Sequence, residues 1–127
     1  MPRTTHTPSG KYPEHTQVHH LDLEAAADDL LARLPGNRRQ SESLAREQGV
    51  SVIMMAMEEG DALKEHSAAG VVTVQLLRGQ VAVGANGEVM DLAPRQMVLF
   101  QPGVRHSVEA RERSVILLTV TGGEQDG

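Results

Sequence analysis

A chain of 127 residues is long enough for one domain with a real core. Aromatic residues make up 2% of it, one Phe and one Tyr with no Trp, so the core must come from Val, Leu, Ile, Met and Ala, and surfaces that read bases or sugars by stacking are disfavoured. A net charge of −5 without a basic stripe argues against nucleic acid as a partner, and zero cysteines remove disulfides, thiolate catalysis and zinc ribbons together.

In chain order, residues 1–20 read as a flexible polar arm. They lack the apolar run of a signal peptide, and nothing downstream approaches membrane-spanning length. A soluble, cytoplasmic protein with no membrane partner is expected. His6, His15, His19 and His20 fall in this arm. Scattered histidines in a polar segment rarely converge on a metal, and none is expected there.

Residues 21–36 form the N-terminal helical unit. Asp22 can cap the helix start and Glu24 complements the N-terminal dipole. Leu23, Ala27, Leu30 and Leu34 fall on one face, Arg33 suits the C-terminal end, and Pro35-Gly36 stops the helix. The stripe is that of a helix lying on its own domain.

After Asn37 the period changes from helix to strand. Residues 37–122 read as a β-barrel unit and 123–127 as a polar tail. A weak edge strand is expected at 41–47, then a strong strand at 50–58 with Val52, Met54 and Ala56 on one face and Ile53, Met55 and Met57 on the other. Both faces being apolar implies burial on both sides, against a second sheet or a subunit. Read as an edge, this strand would need a cover, so a homodimer is expected in which it or the N-terminal region crosses to the partner copy. Further short strands are expected at 71–77, 80–83, 88–92, 96–101, 106–110 and 114–120. Asn86-Gly87 is a hairpin signal, because a type I′ turn needs positive φ at both central residues. Many short strands between Gly, Asn and Pro turns indicate an all-β sandwich or barrel.

Two stretches carry the chemistry. In GDALKEHSAAGVVTVQLLRG, Gly60 is followed after five residues by His66, and the segment ends at Gly79; in QPGVRHSVEA, Gly103 precedes His106 by two intervening residues. These spacings resemble the two motifs of the cupin superfamily, small jelly-roll barrels. The likeness spans about residues 41–120. The segments EHSAAG, HSVEA and LLTV also resemble a branch of small single-domain cupins of unassigned function. The resemblance implies an all-β, cupin-type jelly-roll β-barrel, here with one short N-terminal helix, and points again to a homodimer.

It also implies where a metal would sit, and this chain departs from that pattern. The motif's second histidine is Ala68 and its glutamate is Val72; in the second motif Arg95 replaces a glycine, Gln101 a proline and Ala110 an asparagine. Two of the four usual ligands are thus apolar. His66 and His106 are the candidate metal ligands, and His66, His106, Ala68 and Val72 the candidate ligand-binding residues. The cofactor the resemblance admits is a divalent transition ion such as Fe, Ni, Cu or Zn.

Three readings of the histidine pair stay open. They are vestigial ligands in an apolar barrel, direct contacts to a polar or anionic small molecule, or weak ligands of a metal whose shell the substrate completes. No catalytic residue is assigned. The expected function is small-molecule binding in the barrel without strong catalytic machinery. The alternative is a metal-dependent cupin enzyme of dioxygenase or isomerase type, which would normally carry polar ligands at 68 and 72.

Overall fold

The computed structural model describes residues 4–6, 18–36 and 38–122, with the side chains of 4–6, 65 and 66 outside the description. The readings placed on His15, Asn37 and the tail 123–127 therefore lie outside the described residues, as does most of the arm. The elements are β1 (Thr4–His6), β2 (Val18–His20), α1 (Leu23–Arg33), β3 (Gln40–Glu47), β4 (Val50–Met57), β5 (Ala62–His66), β6 (Val72–Arg78), β7 (Val81–Ala85), β8 (Glu88–Leu92), β9 (Met97–Phe100), β10 (His106–Ala110) and β11 (Ser114–Thr121). Two antiparallel sheets make the barrel, one of order β3-β4-β11-β6-β9 and one of order β5-β10-β7-β8. From β4 onward the chain crosses repeatedly between them, which is the jelly-roll path. Within the expected arm, β1 and β2 pair in parallel, with Thr4 opposite Val18 and His6 opposite His20. Three-residue strands leave no periodicity to read, so the arm gave no sign of them.

The core lies between the sheets. Met55, Met57, Val72, Val74, Leu76, Phe100, Ile116 and Leu118 enter it from the five-stranded sheet; Val81, Val83, Leu92, Val108 and Ala110 meet them from the other. Alternation along each strand sends the neighbouring residues outward. On β4 and β11 those outward residues are again apolar, and α1 covers them. Ala26, Ala27, Leu30 and Leu34 pack on Leu44, Met54, Ala56, Val115 and Leu117 in a second cluster.

This arrangement corrects one expectation. β4 is an interior strand between β3 and β11, and its outer face is covered by the chain's own helix. The edge of the sheet on this side is β3, whose polar sequence suits it, and the other edge is β9. A two-faced apolar strand does not require a partner copy, so the expectation of a homodimer rests on the resemblance alone.

Asp22 caps α1 as its side chain predicts, its Oδ1 accepting from the Ala25 N–H at 2.9 Å. The helix is also tied to the sheet by charge. Arg78 of β6 reaches Glu24 and Asp28, each at 2.8 Å, and Arg33 pairs with Asp29 and Glu42. The carboxylates raise the Arg78 pKa, the Asp28 hydrogen bond most of all. Glu24 and Asp28 remain 83% and 67% exposed, so these pairs contribute at most about 1 kcal/mol each. Fully burying one leucine contributes about 1.5–3 kcal/mol. Apolar burial under the helix therefore dominates, and the ion pairs set its direction. Among the described residues no helix is long and apolar enough to cross a membrane.

The β7–β8 hairpin turns on Asn86 (φ 54°) and Gly87 (φ 78°), as the dipeptide signals. A Cβ added at Gly87 would meet no atom within 4 Å, so any penalty there is purely one of backbone conformation. Gly70 is constrained differently, because a Cβ there would stand 1.6 Å from the Thr121 carbonyl oxygen. That close approach locks the segment entering β6 against the end of β11. Arg95, at the position the second motif gives to glycine, keeps a glycine-like φ of 77° in the turn between β8 and β9. Its N–H donates to the Leu76 carbonyl at 2.8 Å, which holds the turn despite the side chain.

Two substitutions test these turns. Gly87→Val is expected to destabilise by at least about 1–2 kcal/mol, read as a melting temperature lower by several degrees. Arg95→Gly is expected to move the other way by up to about 1 kcal/mol, the relieved left-handed strain outweighing glycine's entropy. Unchanged melting in either variant would mean that the turn relaxes into another conformation.

Candidate functional site

His106 opens β10 after a tight turn through Pro102-Gly103. The turn is held to the loop after β5 by the Gly103 N–H, which donates to the Ala68 carbonyl at 2.9 Å. Alternation along β10 buries His106, Val108 and Ala110 and leaves Glu109 exposed. The imidazole thus points into the barrel, at 1% exposure. Its Nδ1 lies 3.1 Å from the Val104 carbonyl oxygen. A carbonyl can only accept, so Nδ1 carries the proton and donates. In the neutral ring Nε2 then holds the lone pair, the usual arrangement for an imidazole that accepts a hydrogen bond or ligates a metal.

Phe100 lies flat on this ring, with centroids 4.4 Å apart and planes within 6°. It belongs to β9 in the five-stranded sheet, whereas His106 belongs to the four-stranded one, so the stack bridges the two sheets. Phe100 is the cross-strand partner of Val72, which is 3% exposed. Val72, Phe100 and His106 therefore form a continuous series across the barrel. Val104, Ala85, Met90 and Val98 are half-buried around the same core.

The backbone register sets His66 directly opposite His106 across β5 and β10, with an irregularity between His106 and Val108. The His66 side chain lies outside the described residues. β5 ends at His66, so Ala68 stands in the loop and not on the strand. Alternation, which would put positions 66 and 68 on one face of a continuous strand, does not reach that far. Ala68 nonetheless packs against the core through its own loop, while 72, 74 and 76 do share the inner face.

The donors available to a metal are few. Ala68 and Val72 cannot donate, Glu109 faces solvent, and Gln75 pairs with Leu117 of the helix-covered outer face. Among the described residues no group of three or more His, Cys, Asp or Glu is placed to hold an ion. Two imidazoles at most, without an anionic ligand, do not fit a resident catalytic metal. His19 pairs elsewhere, its Nε2 2.7 Å from Glu47 Oε2 on β3. A surface cleft of about 330 Å³ lined by Arg38, Arg39 and Asp61 lies at the other end of β5 and shares no residue with this cluster.

The residues that reading the sequence missed are Phe100 and Val104. The available signal was the single Phe of the chain, six positions before His106 and in phase with Val98 on a short strand.

No protein-family model matches the chain, and no curated protein matches it. Solved structures do. A cupin superfamily protein from Desulfitobacterium hafniense DCB-2 superposes with a TM-score of 0.66 at 18% identity, over 68% of this chain and 80% of that one. An RmlC-like cupin from Shewanella frigidimarina NCIMB 400 gives 0.65 at 14% identity, over 72% and 83%. A mutant salicylate 1,2-dioxygenase from Pseudoaminobacter salicylatoxidans gives 0.69 at 14% identity, over 79% of this chain but 34% of that one. At these identities the likeness is one of fold. Two antiparallel sheets on a jelly-roll path, the register of the motif glycines and histidines, and these superpositions agree: the chain has the cupin fold.

Proposed function

We propose that the barrel binds a small molecule at the end where His106 lies, without strong catalytic machinery. The observation that carries this is a fully buried imidazole, fixed in one tautomer by the Val104 carbonyl, with apolar residues among the described side chains of the same core. Such a site suits a compact, largely apolar ligand with one polar group directed at the histidine. His66, set opposite by the register, and Ala68 and Val72 complete the proposed site. A divalent ion would be held weakly, by the two imidazoles with water in the remaining positions. The Nδ1–H bond to Val104 would orient His106 for that role. The metal-dependent enzyme reading draws on the dioxygenase among the structural neighbours. Ala68 and Val72 weigh against it, since neither supplies a ligand.

Elemental analysis and native mass spectrometry of untagged protein test the proposal. Expected are substoichiometric divalent metal and a small-molecule adduct that disappears in His106→Leu. A stoichiometric, chelator-resistant ion would overturn the non-catalytic reading, and absence of both adduct and metal uptake would overturn the site itself.

A restored ligand set gives a second test. Ala68→His with Val72→Glu adds an imidazole and an anion. Outer ligand partners alone are worth about 10–100-fold in metal affinity, so Ni²⁺ binding is expected to tighten by more than that. Without metal the buried carboxylate should lower the melting temperature, and added Ni²⁺ should recover it. Calorimetric titration and thermal melts read both effects; unchanged Ni²⁺ affinity would place positions 68 and 72 away from the histidines.

A further inference from the structure

We infer that Phe100 is a positioning residue for the proposed site, holding the His106 ring in the plane and tautomer in which Nε2 is offered to a ligand. The inference rests on the proposed function only in that a positioned imidazole needs a ligand to act on. The physical argument stands on two restraints of different kinds. The Nδ1–H bond to the Val104 carbonyl acts in the plane of the ring and selects the tautomer. The Phe100 face acts perpendicular to that plane, at 4.4 Å and 6°, and resists rotation about the Cβ–Cγ bond. The two act on different motions of the ring, and together they favour one direction of the Nε2 lone pair.

Composition strengthens the point. A core made almost wholly of aliphatic residues contains one Phe, and that ring lies parallel to the buried imidazole. An aliphatic residue could fill the volume, as Val, Leu and Met do elsewhere in the same core, but could not present a flat face. The unit is also compact in sequence. Phe100 supplies the face, Val104 the acceptor and His106 the ring, while Gly103 between them anchors the turn to Ala68. Phe100 reaches across from the other sheet, so the ring plane is referenced to the barrel as a whole and not to β10 alone.

The test is a set of ring ¹⁵N–¹H correlation spectra at about pH 8.5, where an ordinary imidazole is neutral, with Ni²⁺ titrations on the same samples. The proteins are wild type, Phe100→Leu, Phe100→Met and Phe100→Tyr, each with a melting curve. Wild type is expected to show His106 as a single Nδ1–H tautomer. The Leu and Met variants should shift toward the Nε2–H form favoured by unrestrained imidazoles, and bind Ni²⁺ about tenfold more weakly. Tyr, which keeps the face, should restore both signatures. Methionine fills the volume more flexibly than leucine, so it carries the comparison if the Leu variant fails to fold. A wild-type tautomer pattern in a folded Leu or Met variant overturns the inference even if Ni²⁺ binds. Absence of Ni²⁺ binding in wild type counts against the weak metal site, while the ring spectra still decide the role of Phe100.

Discussion

The paired strands β4 and β11 of the five-stranded sheet are apolar on both faces, and the rest of the molecule is arranged around that constraint. β4 and β11 are paired along their whole length and present Met55, Met57, Ile116 and Leu118 to the barrel. On the reverse they present Met54, Ala56, Val115 and Leu117. Left open, that reverse face would be a large hydrophobic patch of the kind that drives association. α1 closes it, which makes the helix a structural layer of the domain. The four-stranded sheet has no such need. Its outward positions include Ser107, Glu109 and Asp91, and Asp91 meets Arg111 at 3.2 Å. One sheet is thus a central layer and the other an outer wall.

That asymmetry shapes the candidate site. A buried imidazole is tolerated only where its polar atoms are engaged. The Nδ1–H of His106 meets this condition locally, through a carbonyl two residues earlier. The described side chains packed on the same core are apolar. Where metal-binding cupin motifs place several donors, this chain has alanine and valine, both packed against that core.

The fold was legible where local chemistry and burial agreed. Asn86-Gly87 named its turn because few other dipeptides accept positive φ twice in succession. The alternating faces of residues 50–57 were legible, while their cover was left between a second sheet and a subunit. The upstream helix of the same chain is an equally good cover, and periodicity alone cannot say which apolar stripe meets which. The expected strands set no bounds for β5, because ALKEH mixes charges into a five-residue run and takes its strand character from pairing with β10. Motif spacing singled out His106 and Val72, both buried in the structure, but Phe100 was invisible to it. Its significance comes from a contact across two sheets, and no spacing rule reports the angle between two rings.

The position of β11 in chain order has a consequence for biosynthesis. This strand joins β4 to β6 at the centre of the five-stranded sheet, yet among the described strands it comes last in chain order. Until residues 114–121 have cleared the ribosomal tunnel, β4 lacks its principal neighbour and α1 has only part of its seat. Helix and early hairpins must therefore wait on the nascent chain with methionine-rich surface uncovered. Closure of the barrel is governed by contacts distant in sequence, a topology that folds slowly and invites chaperone capture.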